Sequence, residues 1–110
     1  MQVEKRLVDL TKEVDEAHKD LVAAEQVYHT CKASLEVAMA RSRMSVSHPD
    51  FKLTSTQRED QALIDNAEQH MQLAISEAQV KAARANANRI RTQVDIARSI
   101  SVSVRASMEL

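Results

Sequence analysis

The chain has 110 residues with no glycine, a single proline and only two aromatic residues, Tyr28 and Phe51. Reversals are built largely from Gly, Pro, Asn and Asp, so this composition excludes most α/β and all-β folds and leaves long helices in one domain, 1–110. Fifteen (15) basic side chains against 16 acidic ones leave no global field that would mark the chain for nucleic acid or an anionic membrane.

The first 42 residues carry an almost unbroken heptad. Val3, Leu7, Leu10, Val14, Ala17, Leu21, Ala24, Tyr28, Cys31, Leu35 and Ala38 follow at alternating steps of 4 and 3, and Ser42 ends the series. That spacing keeps one seam of an α-helix turned to a partner helix, and the expected first helix covers about 2–43. From Ala17 onward the row Leu21, Tyr28, Leu35 is large and the row Ala17, Ala24, Cys31, Ala38 is small. Such asymmetry suits an antiparallel partner better than a parallel copy. Cys31 falls on the seam, where a small buried hydrophobe fits.

A corner is expected over 44–55. Pro49 donates no N–H and pushes His48 out of the helical region, while Phe51 and Leu53 are expected to pin the helix ends. His48-Pro49-Asp50 resembles the signature tripeptide of J-domain co-chaperones, and it too lies between two helices. The resemblance covers those three residues; the short first helix and the basic helix before the loop have no counterpart here. The tripeptide reads more simply as a helix stop followed by a turn-forming aspartate.

The second helix is expected over about 56–99, opened by a capping box from Thr56 to Glu59, with Thr54 and Gln57 as a competing start. Its apolar residues begin as Ile64, Ala67, Met71, Ala74 and Ala78. They then change frame to Val80, Ala83, Ala87, Ile90, Val94, Ala97, Ser101, Val104 and Met108. A frame change either unwinds a supercoil or hands the helix from one partner to another. The tail, 100–110, also alternates strictly between apolar and polar residues, so it reads either as a frayed helix or as a short strand.

Local charge is less even than the total. Residues 1–20 hold six acids and four bases, residues 55–77 five acids and one base, and residues 78–108 six bases and one acid. Folding the chain back on itself lays the acidic start of the first helix beside the basic end of the second. Arg84, Arg91, Arg98 and Arg105 lie seven apart on one edge, facing Glu4, Thr11, His18 and Glu25 in such a pair. The row reads as edge ion pairs; with Lys81 and Arg89 it is also a candidate ridge for nucleic-acid phosphates. Two aromatics offer little for base stacking.

No catalytic pattern emerges. Glu25/His29 and Asp15/His18 have helix-ligand spacing, but the second helix offers no matching pair beyond Asn66/His70, and a Gly-rich phosphate loop is excluded outright. No cofactor and no metal are expected. With no apolar run of about 18 residues and no charged-then-apolar leader, neither a membrane span nor a signal peptide is expected, and the location follows as cytoplasmic. The fold expected is an all-α, long antiparallel helical hairpin resembling a coiled coil, which dimerises into a four-helix bundle. Val22, Val37, Met39, Leu73, Ile75, Ile96 and Ile100 fall off the main seams and form the candidate partner-binding surface. The function expected is a non-enzymatic protein-interaction module, a small adaptor, inhibitor or chaperone-like protein; the alternative is a nucleic-acid-associated protein using the arginine row.

Overall fold

The computed structural model of the chain describes residues 2–45 and 54–109. These form three helices, α1 Gln2–Ser45, α2 Ser55–Asp65 and α3 Ala67–Glu109, with no strand among the described residues. The chain is all-α. Pro49, Phe51, Leu53 and the His48-Pro49-Asp50 tripeptide lie outside the described residues.

The heptad of α1 is written directly into its burial. Every seam position from Val3 to Ser42 is buried or half-buried, and Leu10, Ala17 and Leu35 are fully inside. Glu4 in the first turn and Arg43 in the last sit where the helix dipole favours an acid and a base.

The start of α2 corrects the sequence reading. Thr54, not Thr56, is the cap: its hydroxyl accepts from the Gln57 N–H at 3.1 Å, and the Gln57 side chain accepts from the Thr54 N–H at 3.0 Å. Both threonines have the right spacing, but the earlier cap leaves Glu59 free to pair with Arg43 at 2.7 Å. The second helix is also not continuous. It breaks at Asn66, whose φ of −115° and ψ of 25° close α2 before α3 begins. Asn66 is buried, and its side-chain amide donates to Ser42 Oγ at 2.9 Å and to the Ala62 carbonyl at 2.8 Å. An amide that needs partners inside the protein has found them across to α1 and along its own helix.

The inward face of α2 and the start of α3 is a second correction. Ile64, Ala67, Met71, Ala74 and Ala78 are all exposed. Ala62, Asn66 and Ser76 are buried instead, with His70 and Leu73 half-buried between them. The buried Ser76 hydroxyl bonds to the Leu73 carbonyl at 2.8 Å. These positions extend the later seam, Val80 to Val104, backward at helical spacing. The later seam is itself buried or half-buried at each position, and only Met108 is exposed. The tail is helical to Glu109, so its alternation is not a strand signal.

The chain divides into two compact units. One holds α1 up to Ala24 and α3 from Val80 onward. Its core is Leu10, Ala17, Ile90 and Ala97, flanked by half-buried Leu7, Val14, Ala87 and Val94. Thr11 and Val14 meet residues 91–98, whereas His18 and Leu21 meet Ala87 and Arg91, so the two helices run antiparallel. The second unit, Glu25–Gln79, packs the rest of α1 against α2 and the start of α3. Arg43 meets Glu59, Ser42 meets Asn66, and Thr30 and Ser34 share a groove with Glu68 and Gln72, again an antiparallel order.

Candidate functional site

Seven hydrophobic side chains are buried among the described residues, and three of them are alanines, so little apolar bulk is removed from water. A helix pair can bury one stripe on each helix, and the remaining apolar residues are left facing out. Of the sequence-predicted partner surface, Val22, Val37, Ile75, Ile96 and Ile100 are exposed. Met39 and Leu73 are half-buried: Leu73 belongs to the α3 seam, and Met39 Sδ accepts from the Asn66 amide at 3.7 Å. Val37, Met39, Leu73 and Ile75 belong to the second unit; Val22, Ile96 and Ile100 belong to the first.

Some residues absent from that expectation are more exposed than any in it. Ile64 and Met71 are 68% and 63% exposed, against 45% for Ile75. Their sequence signal was the 3–4 series from Ile64 to Ala78, which read as an inward seam because it is more apolar than the Ala62–Asn66–Ser76 face. The series is real, but it lies on the outward side of α2 and α3.

The arginine row sits at the edge of the first unit. Arg91 and Arg98 share a shallow groove with Thr11, Val14, Asp15, Val94 and Asp95, and Arg91 also lies beside His18. The facing positions read from the heptad, His18 and Thr11, are thus met, yet neither is a carboxylate. Thr11 turns its hydroxyl to the Leu7 carbonyl at 2.9 Å. Arg91, Arg98 and Arg105 make no ion pair within the described residues, whereas Arg89 donates to Asn86 Oδ1 at 2.9 Å. Lys81 and Arg84 are both engaged within the fold.

Comparison with protein-family models, curated proteins and solved structures returns no match. Among the described residues, no three His, Cys, Asp or Glu side chains are placed to share a metal ion, and no helix is long and apolar enough to cross a membrane. Two buried nitrogens, Arg58 Nε and His70 Nε2, have no hydrogen-bond partner. What the arrangement offers chemically is exposed aliphatic surface on rigid helices, the material of helix–helix recognition.

Proposed function

We propose that the chain is a non-catalytic protein-interaction module of the cytoplasm, which pairs with a second copy into a four-helix bundle or related four-helix assembly and offers apolar helical surface to a protein target. One observation carries this reading. Large apolar side chains stay exposed on both units, Val22, Ile96 and Ile100 on one and Val37, Ile64, Met71 and Ile75 on the other, although each helix has already turned its seam to an intrachain partner.

The arginine row supports a second reading, since Arg91, Arg98 and Arg105 have no ion pair among the described residues to neutralise them. Asp15 and Asp95 line the same grooves as Arg91 and Arg98, and a carboxylate there repels a phosphate. The protein-binding reading is therefore preferred. It is tested by thermal unfolding over a hundredfold range of chain concentration. Linked association raises the midpoint as concentration rises. A midpoint independent of concentration overturns the pairing.

A further inference from the structure

The second unit has two helical seams on opposite sides of the same segment. The inner one, Ala62, Asn66, Leu73 and Ser76, faces α1 and is buried or half-buried. The outer one is Ile64, Ala67, Met71, Ala74 and Ala78, with Ile75 beside Ala74. All six are exposed and none carries a charge. At about 100° per residue the two stripes are set nearly half a turn apart, so α1 cannot cover the outer one.

A 3–4 spacing is what a helix presents to another helix, and every second position here is an alanine, which lets a partner axis approach closely. The order of large and small residues also identifies the occupant. Turn a copy of the stripe antiparallel about Met71, and Ile64 falls opposite Ala78, while Ile75 falls opposite Ala67. Each isoleucine meets an alanine and Met71 meets itself, while Ala74, at the edge of the stripe, falls opposite Glu68. A surface complementary to its own copy under a two-fold is the mark of an isologous interface, with an uncharged centre from Ile64 to Ala78 and Glu68 at its polar rim.

We propose that the outer stripe of α2 and α3, Ile64 to Ala78 centred on Met71, is the face on which a second copy of this chain docks. About this two-fold, residues 67–75 of the two α3 helices lie antiparallel to each other, the next turns of each α3 lie beside α2 of the other copy, and within this unit α1 lies on the far side. This rests on the self-pairing reading above and specifies where the pairing occurs. It also accounts for the frame change in the sequence: the Ile64–Ala78 series serves the partner copy, and the inner series serves α1.

Two variants of the full chain test it, with mass read by sedimentation equilibrium and helicity by circular dichroism. Met71→Lys sets two ammonium groups against each other at the two-fold and is expected to weaken the dimer at least a hundredfold. Because Met71 is exposed in the single chain, this change does not disturb the fold of a monomer. Met71→Cys in a Cys31→Ser background is expected to form a covalent dimer on mild oxidation, since a disulfide needs Cα atoms within about 7 Å. A Met71→Lys chain as dimeric as the wild type, or no covalent dimer from Met71→Cys, overturns this face while leaving a dimeric wild type intact. A monomeric wild type overturns the pairing itself.

Discussion

Replacing Leu10 by alanine probes the packing of the first unit. Leu10 is 1% exposed, the largest side chain so completely buried, and it packs with Ala17, Ile90 and Ala97. The substitution removes three carbons worth about 0.8 kcal/mol each, or about 2.4 kcal/mol of transfer free energy. The cluster around it is small, Ala17, Ile90 and Ala97 with half-buried Leu7, Val14, Ala87 and Val94, and is held on stiff helices that cannot collapse far into the space. A cavity contribution therefore adds to the loss, for a total of roughly 3 kcal/mol. A domain of this size is stable by about 5–15 kcal/mol, so the change consumes a large share. Val8, two residues away, is 58% exposed, and Val8→Ala should cost less than about 0.5 kcal/mol. Urea titration at fixed chain concentration, followed by far-ultraviolet circular dichroism, gives both numbers from the shift in midpoint at constant slope. If Val8→Ala costs as much as Leu10→Ala, the heptad does not set which side of α1 is buried, and the packing argument fails.

The start of α2 can be checked in the same titration: Thr54→Ala should cost about 1 kcal/mol as a lost cap, while Thr56→Ala stays near neutral. The reverse order would restore Thr56 as the cap. A double-mutant cycle on Asn66→Ala and Ser42→Ala should give a coupling of about 1 kcal/mol, because their bond links α3's start to α1. A coupling indistinguishable from zero would mean the contact contributes nothing to the join. Finally, Arg91→Glu with Arg98→Glu should leave helicity intact, and the wild-type chain should show no salt-sensitive retardation of DNA or RNA. Retardation by the wild type that vanishes in the double variant would establish the nucleic-acid reading instead.

How much of this was legible in the sequence varies along the chain. The α1 seam was fully legible because apolarity and period agree from Val3 to Ala38. The same holds from Val80 to Ala97 on α3, and the period carries on through the polar Ser101 to Val104. Between Ser55 and Gln79 they disagree: the inward positions include Asn66, His70 and Ser76, while the outward ones are Ile64, Met71 and Ile75. A reading that ranks faces by apolarity selects the wrong side there. Extending the Val80 seam backward at helical spacing would have found Ser76, Leu73, Asn66 and Ala62. The break at Asn66 leaves only a weak sequence trace, Asp65-Asn66, two modest helix formers in a chain without glycine. Thr54 and Thr56 each have a box partner three residues on, so local spacing does not choose between them; the structure places the cap at Thr54. The candidate surface was legible only as a list of apolar residues off the main seams; which of them share a unit and a face depends on the packing of α1 against α2 and α3.

In the proposed pairing, a second copy covers the exposed apolar surface of these helices. Sedimentation equilibrium of the wild-type chain at micromolar concentration tests it most directly. The expected mass is twice the 12.3 kDa of the single chain; a mass of 12.3 kDa that persists to high micromolar concentration would contradict it.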